Sequence, residues 1–109
     1  MIIVCQTLLK NTKILGIAIF PFIILKDKGL KNNHTLINHE KIHLRQQLEM
    51  GIILFYLWYL VEFLYWYIRL RNGEMAYEKI SFEQEAYRNE NSLNYLKNRK
   101  FWEFLKYIN

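Results

Sequence analysis

Two histidines one helical turn apart, with a glutamate beside the first, are the residues of this sequence best suited to chemistry. They are His39 and His43, in the stretch N-H-E-K-I-H that begins at Asn38. On an α-helix this i,i+4 spacing places both imidazoles on one face, where their nitrogens can bind a single Zn²⁺. Glu40 is placed to take a proton from a metal-bound water, whose pKa the metal lowers to about 7. The motif therefore predicts a zinc site with Glu40 as its catalytic residue.

A third protein ligand is needed, because catalytic zinc sites usually have three protein ligands and one position open for water. The remaining histidine, His34, lies near the expected start of the helix, and we expect a surface or capping role for it. A better source of the ligand is the downstream stretch E-Q-E-A, which offers the carboxylates of Glu83 and Glu85. Residue types alone leave both carboxylates open.

The combination of H-E-x-x-H with a separate helix that carries E-x-x-A resembles the gluzincin group of zinc metallopeptidases. It is similar to the membrane metallopeptidases of the prenyl-protein-processing and heat-shock type, in which the glutamate that opens E-x-x-A-D is the third zinc ligand. The resemblance implies that Glu83 rather than Glu85 is the ligand, and that Ala86 allows close helix approach. Tyr87 stands where that pattern has an aspartate. The chain also resembles small uncharacterised bacterial proteins with the same N-H-E-K-I-H and F-E-x-E-A-Y elements.

The first part of the chain is expected to form two or three strands. The runs Ile2 to Leu9 and Ile14 to Leu25 are rich in Ile, Val and Phe, and a polar turn separates them. Pro21 divides the second run, and because proline cannot donate to the ladder this strand should lie at a sheet edge or bulge. Such an edge could receive an extended peptide substrate along Ile17 to Leu25. A plain core hairpin is an equally good interpretation.

Helical periodicity predicts that residues 35–50 form the zinc helix, capped by Asn33 or Thr35. An apolar stripe recurs along it at helical spacing, so we expect the histidines to face away from the main apolar contact. The residues of the expected buried stripe are Ile37, Leu44, Leu48 and Ile52.

Residues 52–70 predict an apolar helix that is long enough to span a bilayer. A single span, however, would place His43 and Glu83 on opposite sides of about 30 Å of hydrocarbon, so that they could not share one ion. We therefore expect the chain to bend near Gly51 and this helix to fold back beside the zinc helix. Peripheral membrane contact through exposed Trp and Tyr side chains is compatible with that arrangement.

Two further helices are expected downstream. Ser81 and Gln84 fit a capping box that opens a helix over residues 81–90, which carries Glu83. Leucines and aromatic residues at helical spacing predict a C-terminal amphipathic helix over residues 93–108. The fold class expected for residues 1–109 is a single α+β domain, with a small N-terminal sheet and a mostly helical, zincin-like core.

Composition limits the classes of partner and compartment. The chain has 109 residues, of which 52% are hydrophobic and 17% aromatic, so it should form one folded domain. Its 15 Lys and Arg against 10 Asp and Glu are scattered without a nucleic-acid fold signature, and we expect no nucleic-acid partner. Cys5 is the single cysteine, which excludes an intramolecular disulfide. The sequence starts without a basic n-region or cleavage site, so a cytoplasmic location is expected, with membrane association left open.

Together these observations predict a zinc-dependent metallopeptidase that hydrolyses a peptide or protein substrate. Zn²⁺ would be held by His39, His43 and Glu83. A developing oxyanion needs a donor besides the metal, and Tyr77, Tyr87, Arg88 and His34 are not distinguished by the sequence. The alternative is a non-catalytic, membrane-associated or oligomeric interaction protein that uses the apolar helix 52–70. Self-association is compatible with either hypothesis.

Overall fold

The N-terminal part of the chain forms a three-stranded sheet with helices packed against it, as the computed structural model of residues 2–108 shows. Its strands are β1 (Ile2–Val4), β2 (Gly16–Ile19) and β3 (Phe22–Leu25). The strand order is β1-β3-β2, with β1 parallel and β2 antiparallel to β3. The expected α+β class, a small sheet followed by a mostly helical core, is confirmed.

The run Ile2 to Leu9 does not form one strand. β1 ends at Val4, and helix α1 (Gln6–Leu9) follows it. The backbone N–H of Cys5 donates to the carbonyl of Leu25, the last residue of β3, so β1 has no partner to pair with beyond this point. Leu9 is buried.

The division of the second apolar run at Pro21 is confirmed. Pro21 lies in the turn of a hairpin, where Ile19 pairs with Phe22. Of the two strands that it separates, β2 is at the edge of the sheet, as expected for a run interrupted by proline. β3 is the central strand, with a partner on each side.

The predicted zinc helix is α2 (His34–Met50), which follows a 3₁₀ helix over Lys28–Asn32. Asn33 is its N-cap, since its side-chain oxygen accepts a hydrogen bond from the backbone N–H of Leu36 at 3.0 Å. The expected buried stripe is wrong, because Leu48 is 61% exposed. Most of the buried residues of α2 are polar. The buried residues of this helix are Ile37, Asn38, His39, Glu40, Ile42, His43, Gln46, Gln47 and Met50.

The expected bend at Gly51 is present. Gly51 has φ 82°, a value that favours glycine, and it separates α2 from α3 (Ile52–Leu70). In a straight helix His43 and Phe55 would be about 18 Å apart. Their ring centroids lie 6.1 Å apart, so α3 folds back onto α2.

Helix α4 (Gly73–Lys79) packs along α3, and α5 (Ser81–Asn89) follows it. The predicted capping box at the start of α5 is wrong. The hydroxyl of Ser81 donates instead to the carboxylate of Glu62 on α3, and Gln84 donates to the backbone carbonyl of Glu78. A tertiary hydrogen bond has thus replaced the local cap.

The predicted C-terminal helix over residues 93–108 is also wrong. The segment contains a short helix, α6 (Tyr95–Asn98), and a 3₁₀ helix over Glu103–Tyr107. Between them Trp102 adopts φ 60°, and its N–H donates to Glu49 of α2 at 3.1 Å. The guanidinium of Arg99 binds the same carboxylate at 2.6 Å. Buried partners on α2 therefore interrupt a segment whose periodicity favours one helix.

Two apolar clusters lie at opposite ends of α2. One joins Ile37 to the sheet residues Ile23 and Leu25, and the other joins Met50 to a mainly aromatic group from the later helices. The members of this second cluster are Met50, Phe55, Ile80, Phe82 and Phe104. The histidines of α2 lie between the two ends, which holds them in a well-packed part of the protein.

Candidate metal centre

His39, His43 and Glu83 bring their side-chain ligand atoms together in the interior. Nε2 of His39 lies 3.1 Å, and Nε2 of His43 3.0 Å, from Oε1 of Glu83. The two Nε2 atoms are 3.2 Å apart. All three side chains are buried, and the group could hold a metal ion. Successive turns of α2 supply the histidines, and the first turn of α5 supplies the glutamate.

The size and donor set of this triangle fit a tetrahedral divalent ion. Bonds of about 2.0–2.2 Å to nitrogen and oxygen place neighbouring ligand atoms about 3.3 Å apart around zinc. The three distances here are 3.0, 3.1 and 3.2 Å. Two imidazoles and one carboxylate are also the protein ligands of one class of catalytic zinc site. The residues therefore fit a metal ion bound by three protein atoms.

Gln46 fixes the orientation of the His43 ring from the side away from Glu83. Its Oε1 lies 2.8 Å from Nδ1 of His43, while its Nε2 donates to Glu85 at 2.9 Å and to the carbonyl of Phe82 at 3.2 Å. Because the amide nitrogen of Gln46 is already a donor to these acceptors, its oxygen faces His43 and must accept. Nδ1 of His43 therefore carries a proton, and Nε2 is the nitrogen left for a metal.

Glu85, the alternative ligand, lies behind the site and not in it. Tyr95 donates to its Oε2 at 2.6 Å, and the guanidinium of Arg99 binds both of its carboxylate oxygens. Arg99 also binds Glu49, so this ion pair joins α2, α5 and the C-terminal segment. Of the two carboxylates that the sequence leaves open, Glu83 is the one that contacts the histidines.

His39 has a weaker partner on its far side. Its Nδ1 is buried, makes no hydrogen bond within residues 2–108, and lies 3.6 Å from Oε2 of Glu90. Tyr87, which stands where the gluzincin pattern has an aspartate, packs against the His39 ring with centroids 4.5 Å apart. Glu90 is thus the carboxylate nearest to Nδ1 of His39.

Tyr59 holds the side chain of Glu83 in place. Its hydroxyl donates to Oε2 of Glu83 at 2.7 Å, which leaves Oε1 facing the two histidines. Tyr59 lies on α3, so the bend at Gly51 is what brings it to the site. Sequence reasoning did not identify this residue, because its role depends on α3 folding back.

Electrostatics favour a charged site in the absence of metal. Burial by itself lowers the pKa of His43, but the adjacent Glu83 carboxylate outweighs this effect and raises the pKa to about 9. Burial acts to raise the pKa of Glu83, yet His43 and His39 hold it well below its usual range. A metal ion must therefore displace a proton from His43 at neutral pH.

Glu40 lies beside the ligand group and lines a cavity of about 240 Å³ together with His39, His43 and Glu83. Burial raises the pKa of Glu40 above that of an ordinary carboxyl group, despite the opposing effect of the histidines. A carboxylate with a raised pKa takes and returns protons more readily near neutral pH. Its position and its pKa both suit a general base.

The four candidate oxyanion donors differ in whether they line the cavity at the ligand group. Tyr77 lines both the cavity at the ligand group and an adjoining cleft of about 680 Å³, whereas Tyr87 lines only the cleft. Their hydroxyls are 3.2 Å apart. His34 is exposed, and the Arg88 guanidinium lies over the Tyr107 ring at 5.6 Å. Neither of these last two lines the cavity or the cleft in the described part of the chain.

The edge of the sheet beside the site is partly covered. The side-chain amide of Gln47 donates to the carbonyl of Ala18 at 2.7 Å and accepts from the N–H of Phe20 at 2.7 Å, and the hydroxyl of Tyr56 also donates to Ala18. Gln47 thereby occupies the place that another strand would take along β2. Gly16 lies beyond this contact and lines both the cavity and the cleft.

No protein-family model, curated protein or solved structure matches this chain. The functional assignment therefore rests on the geometry of the site, in which a buried His39-His43-Glu83 group that could hold a metal ion adjoins Glu40 in one cavity.

Proposed function

We propose that the protein is a zinc-dependent metallopeptidase of the gluzincin type, with Zn²⁺ bound by His39, His43 and Glu83. The observation that carries this proposal is the convergence of the three ligand atoms within 4.8 Å of one another, in a cavity that Glu40 also lines. Zinc is the proposed ion because two imidazoles and one carboxylate are the protein ligands of one class of catalytic zinc site, and because H-E-x-x-H on a helix is typical of zinc metallopeptidases.

The residues of the cavity divide the work of peptide hydrolysis among them. When bound, zinc acidifies a water molecule and polarises the carbonyl group under attack. Glu40 would accept a proton from that water as the water oxygen bonds to the carbonyl carbon. It would then return the proton to the amine nitrogen as the C–N bond breaks. Tyr77, from its place at the junction of cavity and cleft, donates a hydrogen bond to the developing oxyanion.

The substrate is a peptide bound in the cleft of about 680 Å³ beside the ligand group. The expectation that it lies along Ile17 to Leu25 is corrected, since β3 is paired on both sides and Gln47 covers β2 at Ala18 and Phe20. The accessible part of the edge is at Gly16, where a side chain would approach Glu40 Cγ to 3.6 Å. A peptide backbone can come close to Glu40 there because Gly16 has no side chain.

The rival hypothesis, a non-catalytic interaction protein in which α3 is the working surface, explains the exposure of α3. It leaves the interior of α2 without an explanation, because three ionisable side chains meet there at hydrogen-bond distances. Burying such groups is costly unless they are paired and hydrogen-bonded, and clusters of ionisable groups that line a cavity are typical of functional sites. The exposure of α3 and the buried ionisable group at α2 both fit a cytoplasmic metallopeptidase that also uses α3 for contact with a membrane.

Metal content of the purified protein tests the proposal. We expect near-stoichiometric zinc in the wild type, and loss of zinc in His39→Ala and His43→Ala. His34→Ala is the matched control, since His34 is the exposed histidine at the start of the same helix and should keep the metal. Wild-type protein that is metal-free after purification without chelator would overturn the zinc site.

Peptide hydrolysis by the zinc-loaded protein tests the catalytic role. Glu40→Gln should keep the metal and lose activity by about 10²–10⁴-fold, the usual contribution of a general base. Turnover of a mixed peptide library can be followed by mass spectrometry. Equal activity of Glu40→Gln and the wild type would contradict the mechanism while leaving the metal site intact.

A further inference from the structure

The most apolar helix of the protein is also largely exposed. α3 is long and apolar enough to cross a membrane, yet only 6% of its apolar window is buried in the described structure. Phe55 is its single buried residue. The core helix of a soluble protein would be mostly buried, so core packing does not account for the composition of α3.

The exposed residues of α3 form one continuous surface, here called the α3 apolar face. They recur at helical spacing over about 23 Å and are 47–79% exposed. The residues of this face are Ile53, Leu57, Leu60, Val61, Leu64 and Ile68. The charged residues of α3 are Glu62 and Arg69, which lie outside it. Glu62 is held by Ser81 and Trp58, and Arg69 by Tyr65.

The surface continues onto the C-terminal segment. Ile108 and the α3 residues Leu54, Leu57 and Val61 line a shallow, almost wholly apolar groove of about 470 Å³. Ile108 is itself 46% exposed. The apolar area is therefore wider than one helix face, and apolar patches of this kind mark binding sites for a membrane or another protein.

Basic residues lie near both ends of α3. Arg69 and Arg71 lie at the C-terminal end of α3. Near its N-terminal end, the exposed Lys100 follows Arg99, whose guanidinium binds Glu49 at the end of α2. An uncharged apolar stripe between basic groups is complementary to an anionic membrane, whose headgroups attract the cations and whose acyl chains accept the apolar side chains. The formal charge of the chain, +5, has the matching sign.

We propose that the α3 apolar face binds the surface of an anionic membrane, with the axis of α3 parallel to the membrane plane. Arg71 and Lys100 contact the lipid headgroups, and the side chains of the face enter the outer acyl region. The proposal is independent of catalysis, because it depends only on the surface of α3.

The geometry of the site argues against α3 as a membrane span. Tyr59, near the middle of α3, hydrogen-bonds Glu83, so a span would place the metal centre near the middle of the bilayer. The protein measures 36 × 35 × 25 Å, close to the hydrocarbon thickness of about 30 Å. Most of it, including exposed lysines such as Lys13 and Lys41, would then lie in lipid, where charges are costly. Parallel binding keeps these residues in water.

Vesicle co-sedimentation tests the proposal with the metal-loaded protein of residues 1–109. We expect binding to vesicles of phosphatidylcholine with phosphatidylglycerol, weaker binding to phosphatidylcholine alone, and weakening by salt. Leu57→Glu on the face should reduce partitioning onto the vesicles by roughly tenfold or more, because a leucine that enters the acyl region is replaced by a charge. Leu48→Glu is the matched control, since Leu48 on α2 is 61% exposed and Leu57 56%. Leu48→Glu should bind like the wild type.

Zinc content and circular dichroism of both variants show whether they are folded, and Val61→Glu serves as a second variant of the face. Failure of the wild type to bind anionic vesicles would overturn the proposal, as would equal loss of binding in Leu48→Glu. A soluble dimer that Leu57→Glu converts to a monomer, without vesicle binding, would assign the face to a second copy of the chain. A metal-free protein that still binds vesicles would contradict the proposed function and leave this inference standing.

Depth measurements test the orientation. In a Cys5→Ser background, nitroxide labels at Ile53→Cys, Leu60→Cys and Ile68→Cys should report similar, shallow depths. A label at residue 60 that is much deeper than those at 53 and 68 would show a span and overturn parallel binding.

Discussion

Helices α2 and α3 follow one another in the chain, separated by Gly51, yet they bury opposite kinds of side chain. The buried side of α2 carries histidines, glutamines and a glutamate, whereas α3 consists almost wholly of apolar residues and buries only Phe55 among the described residues. The polar side of α2 is in the interior because α5 supplies partners for it through Glu83 and Glu85, and Tyr59 of α3 in turn donates to Glu83. The apolar side of α3 has no such partner within residues 2–108.

The comparison shows that burial in this protein follows partners and not hydrophobicity alone. Buried polar groups are tolerated when their hydrogen bonds are satisfied, and those of α2 form a connected network. An exposed apolar helix is tolerated when a membrane or another protein covers it. Each of the following changes removes one side of this contrast.

The largest effect is expected from two glutamates of α5 that are two positions apart. Glu83→Gln should weaken zinc binding by more than about 100-fold, because loss of a ligand exceeds the effect of losing an outer-shell partner. Glu85→Gln should keep zinc within about tenfold but lower the free energy of unfolding by about 3–5 kcal/mol, since Arg99 loses a buried partner. Competition with a zinc indicator and urea denaturation measure the two. The reverse result, with zinc lost in Glu85→Gln, would reassign the ligand.

A smaller effect, on stability alone, distinguishes the aromatic cluster from the α3 apolar face. Phe82→Ala should lower the free energy of unfolding by about 3–5 kcal/mol, because Phe82 is completely buried between Phe55 and Phe104. Val61→Ala, on the face, should change it by less than about 0.5 kcal/mol in the absence of lipid. Equal destabilisation by the two substitutions would mean that the face is covered in solution.

The link between Gln46 and His43 should be worth about 10–100-fold in zinc affinity, the usual range for a group that orients a metal ligand. Gln46→Ala removes the acceptor of the His43 Nδ1 proton. Gln84→Ala is the control, since Gln84 on α5 donates to the carbonyl of Glu78 and not to a ligand. Competition with a zinc indicator measures the affinity, and an unchanged affinity in Gln46→Ala would exclude this role.

A further effect, within the wild-type protein, concerns pH. In the metal-free protein the pKa of His43 is raised from 6.5 to about 9 by Glu83. The stability that this shift contributes is fully present below pH 6.5 and is lost as the pH rises through 9. Zinc must displace the same proton, so its affinity should rise by about tenfold per pH unit between pH 7 and 9. Calorimetry in buffers of different ionisation enthalpy counts the protons released, and no release at pH 7 would contradict the assignment.

The sequence alone predicted the elements that local patterns specify. Helix boundaries near residues 35–50 and 52–70 and the division at Pro21 follow from periodicity and the missing donor of proline. Side-chain capping left Asn33 and Thr35 open, and the structure selects Asn33. The pairing of His39 with His43 was also predictable from their spacing on one helix, and the resemblance to gluzincins pointed to Glu83, which the structure places beside both histidines. The distance that Glu83 must cover then required the bend at Gly51.

Only the tertiary structure decided which sides of the helices are buried and which residues support the ligands. Ser81 meets Glu62, and Arg99 meets Glu85 and Glu49, across separations in the chain that carry no local signal. Those contacts replaced the predicted capping box and ended the predicted C-terminal helix. Local propensity differs by only about 1 kcal/mol or less per residue, whereas an unpaired buried charge costs several, so long-range pairing of charges prevails over periodicity.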